Sequence, residues 1–313
     1  MSRPLLQERQ PRCPDSVGNL SLALYHTWQR DQIWVQVTVY IDESGTHDAE
    51  VMILAGLVGR LGQWVTFDQK WKRLLKSEEL PYFHLKKFKH DQPPFREKSP
   101  PFGSWSATRK DRVLRKIDRI IHRNTLFGFT IALKATDYSE IYRPGEKPRK
   151  TRLDSKYGLC FRMCLSMVPA LVQAALPGRE IDLYFVLEHG HENFGDAQRV
   201  FDEFKDRGPP HIAKMLRTAT PGRKAEFPGL QGADTPAHLA FGFESKSDVP
   251  VIALERPAAE MLARKSPLSD APIYRTRFTA ENLKEARQNA IDEVTRRLDW
   301  QKKRREGVRD GEC

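Results

Sequence analysis

"VTVYIDESGTHD", residues 37–48, decides how this chain is read. A β-branched and aromatic run through Tyr40 and Ile41 stops at two adjacent acids, Asp42 and Glu43, followed by Ser44 and Gly45. Such a run reads as a strand closed by a turn. An acid is at home in a turn, where its side chain bonds nearby backbone amides. The alternative is that the strand is a mount for a carboxylate at a reaction centre. A second β-rich run, "AEVMILAGLVG" (49–59), follows so closely that the two predict an antiparallel hairpin.

Outward from the hairpin, apolar spacing predicts helices over "WVTFDQKWKRLLK" (64–76) and "ATRKDRVLRKIDRIIHRN" (107–124). A long apolar helix is expected from about Tyr157 to Ala175, and an exposed one over "ENFGDAQRVFDEFKDR" (192–207). Further strands are expected at "TLFGFTIALKA" (125–135), "EIDLYFVLEHG" (180–190) and "HLAFGFES" (238–245). The proline-rich "HDQPPFREKSPPFGSW" (90–105) and the basic stretch 208–236 read as loops. "TAENLKEARQNAIDEVTRRLDWQKKRR" (279–305) closes the chain as an amphipathic helix with a polycationic end. This order predicts one α/β domain over residues 33–295, with parallel and antiparallel pairs in a single sheet flanked by helices. A flexible extension (1–32) precedes it and a basic tail (296–313) follows.

Among 313 residues, 39 % are hydrophobic and 30 % charged, which suits a folded soluble chain and excludes a disordered one. No apolar run approaches the roughly 20 residues of a membrane helix, and the N-terminus lacks the apolar stretch of a secretory signal. The expected compartment is the cytoplasm. Cys160 and Cys164 sit in an apolar helical run and read as small core residues; no cysteine pair has zinc-ligand spacing. The net charge of +11 favours polyanions, nucleic acid foremost, because neutralising phosphates releases counterions. A basic solubilising surface would have the same charge. Much of the excess is clustered, in "KWKRLLK" (70–76), "HLKKFKH" (84–90), "RKDRVLRKIDR" (109–119) and "RRLDWQKKRR" (296–305).

Three acids recur at the ends of elements expected to be buried. Asp42 ends "VQVTVYID", Glu188 ends "LYFVLE", and Glu255 in "PVIALERPAAEML" opens a helix, since Pro257 suits a first turn. Each alone reads equally as a turn, surface or helix-dipole acid. Together they can converge at one edge of a sheet, where carboxylates repel unless a cation sits among them. Mg²⁺ or Mn²⁺ is the expected cation, taking carboxylate oxygens, water and substrate phosphate. His84, in "YFHLKKFKH", is a candidate for proton transfer or for holding a phosphate.

These blocks resemble those of a prokaryotic family designated domain of unknown function 3800. "YIDESG" (40–45) resembles its signature, "YFHLKKF" (82–88) its Phe-His segment, and "LYFVLEHGHE" (183–192) its fourth-strand block. "FESKSDVPVIALERPAAEML" (243–262) resembles its Ser-Lys, Val-Pro and Leu-Gln-x-Ala-Asp block, with Ile252 and Glu255 where the family has Gln and Asp. The literal Leu-Gln-x-Ala-Asp string lies upstream in "PGLQGADTPAHLA" (228–240), ending at Asp234. Glu255 keeps its spacing to Ser245 and Lys246 and is the preferred match; Asp234 is its rival. The resemblance implies a ribonuclease H-like fold and a divalent-metal-dependent nuclease. Asp42, Glu188 and Glu255 would be its metal ligands, His84 its accessory group, and DNA or RNA its substrate. Glu43, facing the opposite side of its strand, is expected to support the turn. The departures at Ile252 and Glu255 leave room for a nucleic-acid-binding protein whose catalytic site has decayed.

Overall fold

The structure, a computed structural model, describes residues 34–45, 49–89, 102–190, 194–245 and 271–309. The expected hairpin is β1 (Trp34–Ser44) and β2 (Val51–Arg60), paired antiparallel from Val37↔Arg60 to Ser44↔Ile53. Gly45 leaves β1 with φ 75°, and a Cβ there would lie 2.0 Å from the Val51 carbonyl oxygen. Only glycine meets both demands without strain. Then follow α1 (Leu61–Ser77), α2 (Leu85–Lys89), α3 (Ala107–Asn124) and β3 (Phe127–Lys134). The chain continues through α4 (Lys156–Ala175), β4 (Glu180–Glu188), α5 (Phe194–Arg207) and β5 (Leu216–Gly222). It closes with α6 (Pro228–Glu244), β6 (Ile273–Arg277) and α7 (Ala280–Arg309).

The six strands form one mixed sheet in the order β5-β4-β1-β2-β3-β6. β2 is antiparallel to both β1 and β3, while β1–β4, β4–β5 and β3–β6 are parallel. Hence β2 alone runs against the rest, and the carboxyl ends of the other strands share an edge. Side chains alternate across a strand, so β1 feeds two cores. Val37, Val39 and Ile41 pack with α4, α5 and Leu283 of α7 on one face. Tyr40 packs with α1, α3 and α6 on the other. Asp42, two residues beyond Tyr40, belongs to that second face.

α4 departs from one expectation. Its 20 residues include an 18-residue stretch of mean hydropathy 1.4, so by length and composition it is apolar enough to cross a bilayer. Its apolarity serves the first core, where Leu159, Phe161, Leu165, Val168 and Val172 are buried.

The stretch 208–245 departs further. Its first part, expected as loop, contains β5, and "HLAFGFES", expected as a strand, belongs to the second half of α6 and its cap. The glycines and prolines there suggest irregular chain, but they serve close packing. Pro228 occupies the first turn, where its missing N–H costs nothing. A Cβ on Gly229 would lie 2.3 Å from the Tyr40 ring, so only a bare backbone can approach β1 that closely. β6 is a five-residue edge strand that local pattern did not reveal. At the C-terminus, α7 runs unbroken through the basic stretch from Arg296, so the described part of that stretch is helical. Residues 1–33 and 246–270 lie outside the described residues.

An ion-paired network ties α4 to α5. Ser155 caps α4 through Gly158 N, and its own N–H and hydroxyl both donate to Asp196 Oδ2 at 2.7 Å. Arg199 donates to Asp196 and Asp154, and Arg162 to Asp154 and Glu203. Burial raises the Asp196 pKa, but the hydrogen bonds from Arg199 and Ser155 outweigh it and hold the group below its ordinary 3.8.

Two outcomes are expected. Gly229→Ala should destabilise the protein by about 1–3 kcal/mol in urea unfolding, because overpacking against Tyr40 exceeds the helix-propensity gain of roughly 1 kcal/mol. An unchanged midpoint would contradict the contact. The depressed pKa of Asp196 gives stability that is present in full above the unfolded value of about 3.9 and is lost as pH falls through the folded value. Asp196→Asn should therefore be less stable at neutral pH and lose stability less steeply below about pH 4.

Candidate metal centre

Parallel pairing of β1 with β4 brings the first two acids together. The ladder runs to Ile41↔Leu187, so Asp42 and Glu188 stand side by side as the next pair, at the carboxyl ends of both strands. β1 leads on to strands on one side of itself and β4 to β5 on the other. The crevice at such a divergence is where open α/β sheets bind ligands. α6 lies over β1 and β2 on the Tyr40 face and supplies Asp234 from its second turn.

The three carboxylates meet at one cation. Lys224 Nζ, in the turn between β5 and α6, lies 2.9 Å from Asp42 Oδ2, 3.0 Å from Glu188 Oε2 and 3.1 Å from Asp234 Oδ1. Asp42 is wholly buried, and the Lys224 and Asp234 side chains retain only 11 % and 6 % of their exposure. Glu188, at 25 %, forms the rim. Glu43 also reaches the group: Asp42, Glu43 and Glu188 each offer an oxygen within 4.8 Å of the others. Glu43, expected to support the turn, thus also stands within reach of the other two acids. The β1–β4 ladder has ended before Glu43, and the longer glutamate side chain reaches the cluster from the strand end.

Protonation follows from burial and from Lys224. Burial pushes the Asp42 carboxyl well up, and a hydrogen bond shared with Glu188 raises it further. Glu188 is also desolvated, but the bonds from Asp42 and Lys224 outweigh that and hold it below the usual range. Burial, then the Glu188 charge, pushes Glu43 up to about 7. Asp234 is desolvated as well, yet His84, Lys224 and the Leu85 N–H hold it far below the usual carboxylate range. Against its own desolvation, the three carboxylates raise the Lys224 ammonium well above its ordinary value, so it stays charged.

His84 and Gln231 complete the site. His84 Nδ1 lies 3.5 Å from Asp234 Oδ2, whose other neighbour is the Leu85 N–H at 2.6 Å. Gln231 is buried and fully engaged. Its Oε1 accepts from Trp71 Nε1 at 2.9 Å and from Phe83 N at 2.8 Å, while its Nε2 donates to the Lys224 carbonyl at 2.7 Å. One amide thus fixes α1, the segment carrying His84 and the backbone of Lys224.

Of the residues expected from sequence, Asp42, Glu188 and His84 come together here. Glu255, the preferred third acid, lies outside the described residues, and its rival Asp234 occupies the cluster. Lys224 and Gln231 were missed. Gln231 carried a signal, since it stands in the literal Leu-Gln-x-Ala-Asp string; Lys224, in a basic loop, carried none. No protein-family model matches the chain, and neither does any curated protein.

The donor set fits a hard divalent ion. All four groups are carboxylates, and among the described residues no sulfur joins them, since Cys160 and Cys164 are buried in α4. Oxygen-only sites suit Mg²⁺ and Mn²⁺ rather than zinc or copper. A point that already holds one positive charge among three acids is electrostatically made for a cation.

Gln231→Leu should cost about 2–4 kcal/mol in urea unfolding, because the Trp71 and Phe83 N–H groups lose their acceptor inside the core. A cost under about 0.5 kcal/mol would mean that water replaces the amide and the site is more open than described.

Proposed function

We propose that this chain is a divalent-metal-dependent phosphodiesterase of ribonuclease H-like fold, acting on DNA or RNA. The observation that carries the reading is the convergence of Asp42, Glu188 and Asp234, from two adjacent parallel strands and a covering helix, on one cation position. The order β3-β2-β1-β4-β5, two antiparallel pairings followed by two parallel ones, is that expected of such a fold and supports it. The "YIDESG", "YFHLKKF" and "LQGAD" blocks lie together at the site, in keeping with a resemblance to the domain of unknown function 3800 family.

In this reading Asp42, Glu188 and Asp234 hold Mg²⁺ or Mn²⁺, with Glu43 beside them. The bound ion supplies Lewis acidity toward a phosphoryl oxygen and a more acidic water. His84 faces Asp234 through Nδ1, which leaves Nε2 to meet a phosphate oxygen or move a proton at the half-exposed rim. Exposed Lys86, Lys87 and Arg223, next to His84 and Lys224 in sequence, draw in the phosphate backbone. The basic half of α7, with Arg296, Arg297, Lys302, Lys303 and Arg304 exposed, adds to the field without reading bases. A cytoplasmic location accords with this substrate.

A second reading, nucleic-acid binding without catalysis, has one observation in its favour: Lys224 already neutralises the cluster. Cleavage of DNA and RNA in Mg²⁺ or Mn²⁺ separates the two. Asp42→Asn, Glu188→Gln and Asp234→Asn should each lower turnover by roughly 100-fold or more while salt-sensitive binding persists. Equal cleavage by wild type and all three variants would sink the nuclease reading. Tight binding with no metal-dependent turnover in the wild type would select the second.

A further inference from the structure

We propose that Lys224 is a resident counter-ion of the carboxylate cluster, which a divalent metal must displace in order to bind. The proposal rests on the metal-site reading and adds to it an intramolecular competitor.

The geometry leaves one place for two cations. Lys224 Nζ makes three ion pairs between 2.9 and 3.1 Å, with one oxygen each from Asp42, Glu188 and Asp234. Two of those carboxylates, Asp42 and Glu188, also offer oxygens within 4.8 Å of one another and of Glu43, close enough to hold one ion, so a metal drawn to the cluster would share its acids with the ammonium. Two positive charges sharing acids in a dry site repel strongly. Seating of Lys224 and loading of a metal are therefore mutually exclusive.

The lysine is also built to let go without unfolding the site. Its backbone is anchored, since its carbonyl accepts from Gln231 Nε2 at 2.7 Å. Gln231 is in turn fixed by Trp71 and Phe83. Only the flexible side chain has to turn outward past the rim at Glu188. Without a metal, the ammonium offsets the charge of acids held largely out of water, foremost the wholly buried Asp42, which would be costly to leave uncompensated. The apo protein thereby stays folded, and weak or monovalent ions are kept out, because any entering cation must outcompete three ion pairs.

The test is direct metal binding, with Mg²⁺ by calorimetry and Mn²⁺ by electron paramagnetic resonance, on the full chain of wild type, Lys224→Met and Lys224→Arg. Lys224→Met should bind metal at least roughly tenfold tighter than wild type, while its metal-free melting temperature falls and its metal-induced rise grows. Lys224→Arg, which keeps the charge, should show no such gain. If Lys224→Met does not fold without metal, refolding with Mg²⁺ or Mn²⁺ should restore its native circular dichroism; failure to do so would overturn the proposal. Equal or weaker binding by Lys224→Met, with wild type binding normally, would overturn it and leave the metal site standing. Binding by neither protein would overturn both.

Discussion

The parallel ladder between β1 and β4 is the constraint on which the rest depends. It ends at Ile41↔Leu187, and that register sets Asp42 and Glu188 side by side on one face. A slip of one residue would turn one of the two acids to the opposite face, into the apolar core formed with α4. The register is pinned by the alternation of Val37, Val39 and Ile41 into one core and Tyr40 into the other. Hydrophobic burial along the strand thus decides where the charges stand at its end.

Once the acids are adjacent and dry, electrostatics dictates the remainder. Carboxylates so placed must take up protons, find a cation, or force the chain apart. The molecule does the first two. Burial raises the Asp42 carboxyl and pushes Glu43 up to about 7, and Lys224 bridges three acids. Asp234 owes its place to α6, whose small residues let a helix lie directly on β1 and β2. The site combines precision from the sheet with closeness from a nearly featureless helix face.

Much of this was legible in the residues, for identifiable reasons. β1, β2, β3, β4, α1, α3 and α4 announce themselves because each is long and repeats its period clearly. The acids at the ends of β1 and β4 were visible for the same reason. α6 was obscured because glycine and proline, which mark loops in general, here mark contact with Tyr40 and a first turn. For the third acid, spacing to Ser245 and Lys246 favours Glu255; the literal Leu-Gln-x-Ala-Asp string points to Asp234, the acid that stands in the cluster among the described residues. β6 is too short to show a period, and its pairing with β3 depends on chain 145 residues distant in sequence, as in Phe129↔Tyr274. Lys224 was invisible, because nothing local tells a buried lysine from its many exposed neighbours.

One consequence lies in the aromatic residues around α1. Trp71 stacks on Phe67 with centroids 5.2 Å apart and meets Phe83 edge-on at 6.2 Å. Its indole N–H ends on the same Gln231 amide that grips the Lys224 carbonyl. An indole's emission depends on the polarity and hydrogen bonding around its ring, and this ring is wholly buried. The chain therefore carries a native fluorophore wired, through a single side chain, to the residue at the centre of its acid cluster. Of the chain's six tryptophans, Trp71 is thus the one whose emission should answer to a change at Lys224, against the background of the others.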